Sequence, residues 1–153
     1  MSLDTLYREG VPLKIILVKQ GKVVLPGIRD LCSMYETRLK RFYDIESVEQ
    51  KSTSQKSAAK AGTITIALDE HGKQWNTKEL AAKIQDWTDD PRIKTLRFVV
   101  GDAHGLSQDI RDTADFTWAI SKLTLQGDLA WLLLWEQVYR AITLNKGIPY
   151  HHE

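Results

Sequence analysis

Five residues, Gly101-Asp-Ala-His-Gly105, carry the first chemistry that the chain offers. They follow an apolar run that reads as a strand, Leu96–Val100, and precede Ser107, which can cap a short helix through Ala114. Glycines at both ends of such a turn let backbone approach a ligand closely, and free N–H groups at a helix start favour an anion or a carbonyl. The spacing is not the dinucleotide fingerprint, which needs another glycine three residues further on. The same five residues also make an ordinary tight turn. The tail, Tyr150-His151-His152-Glu153, brings two imidazoles and a carboxylate. It binds a metal only if further ligands come from elsewhere, and is otherwise solvated surface. His71 and His104 stand alone in polar stretches, and Glu136 and Arg140 have the i,i+4 spacing of a structural ion pair. No phosphate loop, Gly-x-Ser-x-Gly elbow or His-Glu-x-x-His helix is present.

These residues need a frame, and the 153-residue chain is long enough for one domain with a real core. A hydrophobic fraction of 42% with 27% charged residues is that of a soluble globular protein. The formal net charge of +1 gives no bulk attraction to nucleic acid or an acidic membrane, although a local basic patch remains open. A single cysteine, Cys32, cannot close an internal disulfide and fits a reducing compartment. Met1–Gly10 has no apolar run of the signal-peptide kind, so a cytoplasmic location is expected.

Residues 1–12 read as an N-terminal extension and Leu13–Val18 as a first strand. Gly21 and Pro26-Gly27 mark turns after that strand. Ile28, Leu31, Tyr35, Leu39 and Phe42 then fall at helical spacing, opposite Arg29, Glu36, Arg38, Lys40 and Arg41. Asp44–Gln50 is a weaker strand, and Lys51–Lys60 a loop or frayed helix without apolar anchors. Thr63–Leu68 has the near-continuous apolar character of a buried parallel strand, and Asp69–Lys73 reads as a polar loop after it. Asn76-Thr-Lys-Glu79 is a capping box for a helix that buries Leu80, Ile84 and Trp87. Phe116–Ile120 is a further strand, and Asp128 to about Lys146 the last helix. Its Leu129–Trp135 segment has no polar residue on any face, which points to a partner subunit, while the five tryptophans read as core and interface anchors. Strands alternating with helices give an α/β domain with a mostly parallel sheet, helices on both faces, and a ligand outside the carboxyl ends of the strands. The loops after Leu68, Val100 and Ala119 meet that condition.

Taken in order, Ile66–Lys73, Phe98–Leu106, Ile120–Leu125, Glu136–Ala141 and Pro149–Glu153 resemble the ribosomal large-subunit methyltransferase H family (RlmH, or YbeA), enzymes of the SPOUT class. The resemblance is close over residues 63–153 and looser before them. It implies a single SPOUT methyltransferase domain over 1–153, with a C-terminal deep trefoil knot, a fold that periodicity would not suggest. It also implies a homodimer that holds S-adenosylmethionine in the knot and methylates N3 of a pseudouridine in the 23S rRNA of the ribosome. On that resemblance, the cofactor contacts map onto Leu68, Gly101, Gly105, Ile120, Ser121, Lys122, Leu123, Thr124 and Leu125. Tyr150, His151, His152 and Glu153 would reach across the dimer towards the target base, a tail histidine being a candidate base. The chain departs from the family pattern at Asp102, where glycine is usual, and at Gln126-Gly127, where Pro-His is usual. It departs again at Trp131, which stands for an arginine. Losing the His and Arg would put apolar surface on the reaction side. These departures leave a rival reading, a dimeric binding module that keeps the fold without methyl transfer.

Overall fold

The computed structural model describes residues 13–51 and 60–152. The N-terminal extension, most of the Lys51–Lys60 segment and Glu153, expected in the reactive tail, lie outside the described residues. Runs rich in branched apolar residues form a five-stranded parallel sheet. Its strands are β1 (Lys14–Gln20), β2 (Asp44–Gln50), β3 (Thr63–Gln74), β4 (Thr95–Val100) and β5 (Phe116–Ala119). Their spatial order is β2-β1-β4-β3-β5, with every pairing parallel. The chain thus leaves β4 at the centre and returns to the far side of β3.

Four helices complete the fold: α1 (Ile28–Leu39), α2 (Thr77–Asp89), α3 (Gln108–Thr113) and α4 (Gly127–Lys146). Side chains alternate across the pleat, so one face of the sheet presents Ile15, Leu17, Ile66, Leu96 and Phe98 to the core built with α1, α2 and α4. The other face presents Val18, Ala67 and Val99 to Leu106 and to Ile110 of α3. Helices therefore lie on both faces of the sheet. The N-cap forms as expected, with the Asn76 side chain accepting from the Glu79 amide at 2.8 Å.

Two local expectations need correction. Asp69–Lys73 is not a free loop but a continuation of β3, with an irregularity between Leu68 and Lys73 where both pair with Trp118. Gly72 permits it: a Cβ there would stand 2.7 Å from the Thr117 carbonyl of β5. In α1 the buried positions are Ile28, Cys32 and Leu39, whereas Leu31 is exposed. The helix sits rotated towards Cys32, whose thiol is pushed up to about 12 by burial. The last helix, α4, is left uncovered on part of its surface, as its apolar character in so short a chain implied. Trp131, Leu134 and Trp135 point into the chain's own core, while Leu129 and Leu133 remain 44% and 38% exposed.

Candidate functional site

The segments that follow β4 and β5 and the irregular stretch of β3 from Leu68 converge on one open cavity of about 360 Å³, a size suited to a small ligand. Leu68 reaches it from β3, and Gly101 and Gly105 from the turn after β4. Ile120, Ser121, Leu123, Thr124 and Leu125 come from the segment between β5 and α4. Of the residues expected to hold a cofactor, only Lys122 is missing from the lining. Segments distant in sequence meet here because β4 and β3 are neighbours and β5 lies beside β3, so the carboxyl ends of β4 and β5 and the irregular stretch of β3 share one edge of the sheet.

The turn at 101–105 is closed on itself. The Gly105 amide donates to the Asp102 carbonyl at 2.9 Å, and the His104 amide donates to Asp102 Oδ1 at 2.8 Å. Asp102 therefore lines the cavity with its carboxylate already engaged by its own turn, rather than filling the space. Across from it, the Thr124 hydroxyl donates to Glu70 Oε2 at 2.7 Å, tying the segment before α4 to the extension of β3. Arg111 of α3 stands 3.8 Å from Asp69. The walls are thus mixed: apolar from Leu68, Leu106, Ile120 and Leu125, and acidic from Asp69, Glu70 and Asp102. Such a lining offers apolar surface to a flat ring and carboxylates to a cationic group, with Arg111 the basic side chain among them.

Sequence reasoning passed over several of these residues. His71 and His104, read as isolated, both line the cavity, as do Glu70 and Arg111. Glu70, His71 and His104 fall within the runs Ile66–Lys73 and Phe98–Leu106 that carried the resemblance, whereas Arg111 lies in α3 outside them. Gln126 caps α4, accepting from the Asp128 and Leu129 amides at 2.7 and 3.1 Å. Trp131 is 1% exposed in the core, so it adds no apolar surface to the cavity side, contrary to expectation. It faces inward because α4 packs against α1 and α2 there.

The tail lies elsewhere. Tyr150 packs edge-on against Tyr139 at 4.7 Å between ring centroids, with the Arg140 guanidinium 4.6 Å from its own ring centre. Its hydroxyl lies 3.4 Å from that of Tyr35 and 3.5 Å from Glu136. Burial, then those two neighbours, push its phenol upward, so it stays protonated. His151 Nδ1 is 3.4 Å from Arg140, which is itself paired with Glu136 at 2.6 Å, and His152 is exposed. Ten residues of helix, about 15 Å, separate Arg140 from the cavity-lining Ala130. Tyr150, His151 and His152 therefore do not enter the cavity of their own chain.

Comparison with known proteins bears on this geometry. The family described as "Predicted SPOUT methyltransferase" matches residues 13–151. A ribosomal RNA large subunit methyltransferase H from Maridesulfovibrio salexigens is 33% identical, the match covering 91% of this chain and 98% of that protein. The same-named protein of Zymomonas mobilis is 35% identical, over 92% and 99%. Among solved structures, a probable methyltransferase from Bordetella pertussis superposes with a TM-score of 0.59 at 13% identity, over 90% of this chain and 99% of that one. The SpoU methyltransferase AviRb from Streptomyces viridochromogenes, solved in complex with AdoMet, gives 0.52 at 18% identity. There the match covers 97% of this chain but only 64% of the longer AviRb chain.

Proposed function

Because the chain belongs to the ribosomal RNA large subunit methyltransferase H family of SPOUT methyltransferases, we propose that it is an S-adenosylmethionine-dependent rRNA methyltransferase. Its finer assignment is N3 of a pseudouridine in 23S rRNA. The observation that carries this reading is the cavity at the carboxyl ends of β4 and β5 and the irregular stretch of β3, lined by the residues expected to hold the donor. Those residues fit the donor chemically. Leu68, Ile120 and Leu125 can sandwich the adenine, backbone groups of the 101–105 turn and the 120–125 segment can bond its edge, and the nearby carboxylates favour a cation. When bound, S-adenosylmethionine supplies an electrophilic methyl group on a sulfonium. The chain's part is to bind, orient and exclude water, with a tail histidine of the partner subunit proposed as the base for the N3 proton.

A homodimer is part of this proposal, because the tail and the cavity of one chain lie apart. The exposed apolar residues Val24, Leu25, Leu129 and Leu133 provide a surface for it. Replacing Leu133 with Glu is expected to give monomer or insoluble protein, read by light scattering after size exclusion; an unchanged dimer would place the interface elsewhere. The trefoil knot that the resemblance implies is also part of this proposal. For RNA, the basic face of α1 adjoins the tail: Arg38 stands 5.6 Å from the Tyr139 ring that Tyr150 also contacts. Arg29, expected on that face, is committed to Glu49 by two hydrogen bonds of 3.1 and 2.8 Å.

The four departures leave the donor cavity open, while the silent binding module, which keeps the fold without methyl transfer, is the rival reading that a transfer assay separates from this one. Asp102 closes its own turn, Gln126 caps α4, Trp131 fills core, and Gly127 sits at the helix start, all leaving the cavity open. The direct test is calorimetric titration with S-adenosylhomocysteine, followed by methyl transfer to ribosomes from a strain lacking its own enzyme. Binding with transfer is expected. Binding without transfer would favour the silent module, and no heat at millimolar ligand would remove the cofactor claim. Among the described residues no helix is long and apolar enough to cross a membrane.

A further inference from the structure

Lys19, at the end of β1, is 3% exposed, which is unusual for a lysine. Its ammonium donates to the Gln20 carbonyl at 2.9 Å and to the Gly101 carbonyl at 3.4 Å. It lies close against Gly127, whose lack of a side chain leaves room for the ammonium, with Gly21 at ordinary contact distance. A Cβ on Gly127 would stand 3.3 Å from Nζ, and one on Gly21 would stand 4.0 Å away. Gly101 and Gly127 both line the cavity, on walls contributed by different segments. The carboxylates that act on Lys19 are Glu49 of β2, Asp102 of the turn after β4, and Asp128 of α4; burial lowers its pKa and these three raise it.

We infer that Lys19 is a positioning residue for the donor cavity, its buried ammonium holding the Gly101 wall against the start of α4. The physical argument is one of cost and partner choice. A buried lysine is costly unless bonded, and here one bond is to its own strand at Gln20 and the other to the cavity wall at Gly101. The Gln20 side chain holds Ser107, just beyond the turn, by two hydrogen bonds of 3.3 and 3.2 Å, and the Lys19 bond to the Gly101 carbonyl ties the turn's other end to the same strand. The inference rests on the cavity being the methyl-donor site.

Two substitutions test it. Lys19→Met keeps the volume and removes the charge. Gly127→Ala keeps the lysine but places a methyl against Nζ, at a helix start where alanine is otherwise tolerated. The probe is S-adenosylhomocysteine, with thermal melting run alongside. Each variant is expected to bind it about tenfold more weakly or worse when assayed below its own melting transition, with Lys19→Met melting lower because Asp128 loses a buried counter-charge. In turnover, the KM for donor should rise with little change in kcat at saturating donor. If the wild type binds and either folded variant binds as tightly, the inference is overturned. If Lys19→Met does not fold, Gly127→Ala decides alone: weaker binding supports the inference and unchanged binding overturns it. A wild type that does not bind the probe would instead overturn the cavity reading beneath it.

Discussion

Gly101→Ala should cost methyl transfer on the order of 100-fold, the scale associated with a displacement of about 1 Å at a reacting site. A Cβ at this position would lie 2.5 Å from the Gly105 carbonyl carbon and 2.6 Å from the Leu106 nitrogen. Both are backbone atoms, so no side-chain rotation can relieve the contact. The turn must open, and the Asp102–Gly105 bridge that closes it must lengthen or break. Its Gly101 and Gly105 walls would then move relative to Leu68 and Ile120 across the cavity. Overpacking of this kind also lowers stability by about 1–3 kcal/mol. Affinity for S-adenosylhomocysteine and single-turnover transfer, both measured well below the melting transition, separate the two effects. An alanine variant with wild-type affinity would mean that the 101–105 turn does not shape the donor site.

Asp128→Ala should destabilise the fold by about 2–4 kcal/mol, lowering the melting temperature by about 5–15 °C in a chain of this size. Asp128 is 2% exposed, and its Oδ2 accepts from the Val24 and Leu25 amides at 2.9 and 2.8 Å. Without it those amides lose their acceptor, the segment between β1 and α1 loses its tie to α4, and Lys19 loses a counter-charge. Burial alone would raise the Asp128 carboxyl. The Leu25 and Val24 amides, the Lys19 charge and Gln126 together outweigh it and hold the carboxyl below the usual value. With the folded pKa depressed, the contribution is fully present above the unfolded carboxyl range, about pH 4, and is lost as pH falls through the folded value. Wild type and variant should therefore differ most near neutrality and converge in acid. A gap that stays constant down to the acid transition would show that the carboxylate charge is not what stabilises this corner.

What the sequence determined by itself was set by local periodicity and by ordered motifs. The apolar runs at Thr63–Leu68 and Leu96–Val100 and the Asn76 N-cap each depend on neighbours within a few residues, and each forms where expected. The motif order was enough to indicate the family, and the rule that ligands sit beyond strand ends pointed to the turn at 101–105 and the segment at 120–125. Tertiary structure alone decided the rest. The extension of β3 through Asp69–Lys73 needed β5 beside it, since a polar run has no reason of its own to stay extended. Trp131 and Leu133 are two apolar residues of one helix, and only the packing of α1 and α2 sends one inward and leaves the other at the surface. Lys19 reaches Gly101 across 82 residues, and Val24 reaches Asp128 across 104. Such contacts leave no trace in spacing, because the fold joins residues that the chain keeps apart, and a buried charge is tolerable only once that joining has supplied its partners.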